Sequence, residues 1–127
     1  MTHRNITRRP LTELQQAILD LLWSEGPASA ERVREALRPR YPLKDSSVRT
    51  LLRRLEARGL LTHRVDGKVF LYQAAVPPRR LAAGAVRSLI DRFCAGSAEQ
   101  FLTGLVDEKV LSMAEIRRLA RKVRKSS

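Results

Sequence analysis

From Leu11 onward the apolar positions recur with a helical period. Leu14, Ala17, Ile18, Leu21 and Leu22 fall at i, i+3, i+4, i+7 and i+8, which places them on one face of an amphipathic helix. Thr12 and Gln15 have the spacing of a capping box, in which each side chain satisfies the other residue's backbone N–H, so the helix starts there. Gly26-Pro27 ends it. Ser29 is placed to cap a second, shorter helix with Val33, Ala36 and Leu37 inside, and Pro39 breaks that run. The pattern predicts a third helix, capped by Asp45 or Ser46, with Val48, Leu51, Leu52 and Leu55 as its buried stripe. Gly59 stands where a left-handed C-terminal residue is wanted.

The period then changes. LLTHRV and KVFLYQ are two β-prone runs joined by Asp66-Gly67, the strongest two-residue hairpin signal. Leu61, His63 and Val65 alternate with Leu60, Thr62 and Arg64, and Val69 and Leu71 alternate with Lys68, Phe70 and Tyr72, so both strands mix inward and outward positions. Three helices and a hairpin in that order make a winged helix, a variant of the helix-turn-helix. After Pro77-Pro78 the pattern is purely helical. Leu81, Ala85, Leu89 and Phe93 mark one helix, with Val86 and Ile90 alongside, stopped by Gly96; Phe101, Leu102, Leu105 and Val106 mark a short second one. Ser112 and Glu115 form another capping box, opening a last helix with Met113, Ile116, Leu119, Ala120 and Val123 inside.

The expected fold is therefore mainly α with a small β-hairpin. A flexible basic arm covers 1–10, a winged helix-turn-helix DNA-binding domain 11–76, and a helical dimerisation region 77–127. Short amphipathic helices cannot bury their apolar faces alone, and the winged domain closes on itself. A second copy of the tail is the natural partner. A homodimer is expected, paired through Leu81, Leu89, Phe93, Phe101, Leu105, Ile116, Leu119 and Val123.

Charge points to the ligand. Over 127 residues, 25 Lys+Arg stand against 13 Asp+Glu, a net charge of +12 that attracts polyanions, nucleic acid first. The excess is shared evenly between the stretches before and after Pro78, so patterning must locate the contact. On the third helix the side opposite the apolar stripe offers Ser46, Ser47, Arg49, Thr50, Arg53 and Arg54. Short hydroxyls and arginines are what a helix needs to approach base edges and flanking phosphates in a major groove. A solvated basic face has the same composition; the hairpin that follows favours the recognition helix. Arg64 and Lys68 flank the hairpin tip, where they can meet the DNA backbone.

No enzyme constellation is present. His3 lies in the arm, His63 mid-strand, and the single cysteine, Cys94, sits on an apolar helix with no histidine near it in sequence. There is no Gly-rich phosphate loop, His-x-x-x-His pair or nucleophile elbow, so no cofactor, metal site or catalytic residue is expected. No run approaches the roughly 20 apolar residues of a membrane span. Glu13 and Asp20 interrupt the only candidate signal-peptide core, which predicts a cytoplasmic protein without membrane insertion. The rival reading is a winged-helix interaction module that binds RNA or an acidic protein partner without recognising an operator.

LTELQQAILDLLW (11–23), the Gly26-Pro27 turn, SSVRTLLRRLEARGLL (46–61) and DGKVFLYQ (66–73) resemble the penicillinase-repressor family, winged-helix regulators of β-lactamase and methicillin-resistance operons. The resemblance runs from Leu11 to the Leu111-Ser112 start of the last helix. It implies a cytoplasmic dimeric repressor on a palindromic operator in double-stranded DNA, with Ser46, Ser47, Arg49, Thr50 and Arg53 on the reading helix and Arg64 and Lys68 on the wing. It also implies a membrane sensor protease as partner. Three features depart from the pattern. The bond such a protease would cut aligns with Gly104-Leu105 rather than Asn-Phe. The Cys-rich metal site of a copper-responsive branch is missing. The last helix, usually acidic, carries Arg117, Arg118, Arg121, Lys122, Arg124 and Lys125, either as a phosphate contact or as a solvated face.

Overall fold

In the computed structural model, which describes residues 10–126, the first helix α1 spans Glu13–Glu25. The basic arm predicted over 1–10 lies, apart from Pro10, outside the described residues. The capping box forms as expected: Gln15 N donates to Thr12 Oγ1 and Thr12 N to Gln15 Oε1, both at 3.1 Å. Ser29 likewise caps α2 (Ala30–Leu37), its Oγ accepting from Arg32 N at 3.1 Å. The third helix, α3 (Asp45–Ala57), differs from expectation at its start. Lys44 is the N-cap and makes no side-chain bond, while Asp45 and Ser46 are the first two helical residues. A carboxylate in the first turn still favours the helix electrostatically, through the partial positive charge of the free N–H groups. The C-terminus closes as predicted. Gly59 takes φ +81°, Leu60 N donates to Leu55 O at 3.0 Å and Gly59 N to Glu56 O at 2.9 Å, a Schellman arrangement.

The sheet has three strands rather than the two predicted. Ala28–Ser29 forms a short β1 that pairs antiparallel with β3 (Val69–Ala74), which in turn pairs with β2 (Leu61–Asp66), giving the order β1-β3-β2. Asp66 pairs with Val69, so the central residues of the turn are Gly67 and Lys68, one step beyond the expected Asp66-Gly67. Gly67 has φ +65° and Lys68 no positive φ, which is the II′ pattern with glycine first.

The described residues fall into two compact units that divide between Ala85 and Val86, inside helix α4 (Pro78–Phe93). The first unit holds the core: Ile18, Leu19 and Leu22 from α1, Val33 and Leu37 from α2, Val48, Leu52 and Leu55 from α3, with Leu60, Leu61, Tyr72 and Val76 around the sheet. Leu19 was outside the predicted stripe, and Leu14, Ala17, Leu21 and Leu51 are only half-buried. Trp23 Nε1 donates to Val76 O at 2.9 Å, which ties α1 to the chain leaving the wing.

The second unit comprises the end of α4, α5 (Ala98–Asp107) and α6 (Met113–Ser126). The Ser112–Glu115 capping box opens α6 as predicted. Ile90 is the one fully buried hydrophobic among its described residues, and neither α5 nor α6 buries any side chain completely. Phe93 is 72% exposed and Val123 65%, and Leu89, Leu102, Val110, Met113 and Leu119 are also open.

Candidate nucleic-acid interface

The apolar stripe of α3 fixes which way its polar side points. With Val48, Leu52 and Leu55 wholly buried, Ser46, Ser47, Arg49, Thr50, Arg53 and Arg54 are all left exposed on the outer surface. Ser46, Ser47, Thr50 and Arg54 line a shallow open concavity of about 340 Å³ with Leu51. The loop that delivers α3 is held from α2, where Arg34 Nε donates to Leu43 O at 3.2 Å.

Two of these side chains are engaged within the helix. Arg49 Nε donates to Asp45 Oδ2 at 2.9 Å, and the hydrogen bond and charge of that carboxylate raise the guanidinium pKa, so Arg49 is a permanent cation. Thr50 Oγ1 donates to Ser46 O at 2.9 Å, four residues back. With its proton committed, the Thr50 hydroxyl can only accept, as toward the exocyclic amines of adenine or cytosine. Its methyl can meet the methyl of thymine.

The wing is braced against α3. His63 on β2 sits 2.6 Å from Glu56 near the end of α3, through Nδ1 and Oε2. Its ring stacks on Phe70 with centroids 4.4 Å apart and 11° between planes, and lies 5.6 Å from Tyr72. The register explains this: His63 lies opposite Tyr72 and Val65 opposite Phe70, so these side chains share one face of the hairpin. Burial, then the negative charge of Glu56, pushes the Tyr72 phenol above its ordinary pKa. Arg64, opposite Leu71, is exposed, and Lys68 occupies the turn itself. Beyond the brace the wing tip is open, with Val65 59% exposed.

Glu56, His63 and Phe70 are the positioning residues that sequence reasoning missed. Their only trace was the alternation that sets His63 on the same side of β2 as Leu61 and Val65. Cys94 is a half-buried free thiol. Among the described residues no group of three or more His, Cys, Asp or Glu could hold a metal ion, and no helix is long and apolar enough to cross a membrane.

The residues assigned to dimerisation are placed unevenly. Leu81 is half-buried against the core of the first unit. Phe101, Leu105 and Ile116 are half-buried, while Leu89, Phe93, Leu119 and Val123 are exposed.

Three helices, a braced wing and an exposed hydroxyl-and-arginine helix define the winged-helix class of DNA-binding folds. The model of the penicillinase-repressor family matches residues 11–125, and the chain belongs to that family of transcriptional repressors. An uncharacterized 16.5 kDa protein encoded in the ptsI 3′ region of Latilactobacillus sakei is 29% identical over 109 residues, which cover 86% of this chain and 75% of that protein. The methicillin resistance regulatory protein MecI of Staphylococcus aureus is 22% identical over 109 residues, covering 86% of this chain and 89% of MecI. The solution structure of the DNA-binding domain of the repressor BlaI shares the fold, with a TM-score of 0.50 and 20% identity over 55% of this chain and 85% of that one.

Proposed function

We propose that this repressor binds a palindromic operator as a homodimer, with α3 in the major groove. Ser46, Ser47, Arg49 and Thr50, at the start of the helix, read base edges; Arg53 and Arg54 reach edges or flanking phosphates. Arg64 and Lys68 hold the adjacent backbone. The observation that carries the reading is the uniformly exposed polar side of α3 above a wholly buried apolar stripe. A solvated face would account for the arginines, but the hydroxyls beside them and the wing that follows favour a reading helix, and the repressor BlaI shares the fold.

In this reading residues 11–76 bind DNA and 77–127 pair the copies through Leu89, Phe93, Phe101, Leu105, Ile116, Leu119 and Val123. Their partial or full exposure supports the pairing, because eight large apolar side chains from Val86 to Val123 otherwise stand in water. Two-fold symmetry then sets half-sites about one helical turn, roughly 34–36 Å, apart. The protein acts by occupancy of DNA and carries out no catalytic step. Release by a membrane sensor protease requires α5 to unwind, since Gly104-Leu105 lies within that helix and Glu108 N donates to Gly104 O at 2.9 Å.

Selection of bound duplexes from a randomised library tests the reading. It predicts enrichment of one inverted repeat, bound ~10³-fold or more tightly than random duplex. Recovery of unrelated sequences, bound with steep salt dependence alone, would instead indicate an interaction module.

A further inference from the structure

Helix α6 separates its side chains into two arcs. At about 3.6 residues per turn, Met113, Ile116, Leu119, Ala120 and Val123 fall on one side. Arg117, Arg118, Arg121, Lys122, Arg124 and Lys125 fall on the other, and all six are exposed. The helix has a single carboxylate, Glu115, and it is already engaged. Its Oε1 accepts from Ser112 N at 3.0 Å, while Ser112 Oγ accepts from Glu115 N at 3.1 Å. None of the ion pairs found among the described residues involves the six cations.

Such an arrangement works against the helix unless something neutralises it. Arg117 and Arg121, Arg118 and Lys122, and Arg121 and Lys125 are like charges at i,i+4, each pair destabilising. The helix dipole welcomes Arg124 and Lys125 in the last turn, but gives no reason for the four cations ahead of them.

We propose that the basic side of α6 is a second, sequence-blind site for duplex DNA, acting in addition to α3 and the wing. The inference rests on duplex DNA being the ligand of the chain. The eight steps from Arg117 to Lys125 span about 12 Å at about 1.5 Å each. A DNA strand carries a phosphate every ~3.4 Å of axis, so that length faces three or four phosphates. Arginine forks match phosphate oxygens in pairs. The apolar side of α6, with Met113, Leu119 and Val123 open, stays available to a second copy, so pairing and phosphate binding use opposite sides. The site holds the repressor on flanking duplex whatever its sequence.

The test is a salt titration of the full chain against the triple variant Arg118→Gln, Arg121→Gln, Lys125→Gln on a long random-sequence duplex, with sedimentation of both proteins. Loss of about three phosphate contacts makes the slope of log affinity against log salt shallower by about 2.7 per engaged helix. Between about 50 and 200 mM salt the wild type then loses roughly 40-fold more affinity than the variant, at unchanged assembly state. Equal slopes would overturn the proposal, leaving the cations as a solvated face. So would a variant that falls apart into single copies, or one that loses binding to phosphatidylglycerol vesicles while its slope on duplex stays that of the wild type. A wild type without any preferred duplex sequence would instead fail the operator reading, a separate result because the slopes are read on random DNA.

Discussion

Arg49 reaches back one turn along α3 to Asp45, Nε to Oδ2 at 2.9 Å. The pair is exposed, and exposed pairs of this kind contribute little to stability. Its consequence is for binding: a carboxylate stands beside the arginine assigned to read bases and faces incoming phosphates. Asp45→Asn should therefore tighten binding to operator and random duplex alike, by about 0.5–1 kcal/mol, with little change in their ratio. Parallel titrations on the two duplexes measure it. Weaker operator binding alone would show that Asp45 orients Arg49 for readout.

The wing depends on a contact between two elements. Removing the Glu56 carboxylate leaves His63 without its 2.6 Å partner and loosens the stack on Phe70. Glu56→Ala should raise the mobility of residues 64–68, with amide order parameters falling toward about 0.6, while Glu56→Gln retains most of the order. Operator affinity should drop several-fold through the lost Arg64 and Lys68 contacts. Unchanged order parameters would mean that the hairpin holds its angle through its own pairing.

How much of this was readable beforehand follows the range of the forces involved. The Thr12–Gln15 and Ser112–Glu115 boxes and the positive φ of Gly59 are local, and the sequence showed all three. β1 was hidden because two residues, Ala28 and Ser29, become a strand only by pairing with Tyr72 and Leu71 far along the chain. The turn moved one step because its place is set by the whole ladder, from Leu61 opposite Ala74 to Asp66 opposite Val69, and pairing between residues that far apart is not written in an Asp-Gly pair. On α3 the polar side was legible from the apolar stripe, whereas the Glu56–His63 brace joins separate elements and left no periodic signal.

Tyr72 gives a pH dependence. Its pKa in the folded protein is raised, first by burial, so the fold favours the neutral phenol. That contribution is present below the ordinary tyrosine pKa of about 10 and is lost as pH rises through the higher folded value. The urea midpoint of the wild type should fall above about pH 10 by more than that of Tyr72→Phe. Parallel pH curves for the two proteins would contradict the assignment.

Pairing of copies is testable on the exposed apolar sides of the second unit. Leu119 is 44% exposed in the single chain, so Leu119→Asp costs the isolated fold little. In a dimer it buries an unpaired charge at several kcal/mol. Sedimentation should show a folded single chain for Leu119→Asp and for Phe93→Asp. Dimers that persist in both variants would place the interface elsewhere.

If the outer side of α3 meets base edges, the quantity that depends on it is the ratio of affinities for the selected duplex and a random one. Arg49→Ala and Thr50→Ala should each lower that ratio by the equivalent of ~1–3 kcal/mol, with random-duplex affinity changed far less. A ratio that stayed at the wild-type value in both variants would contradict it.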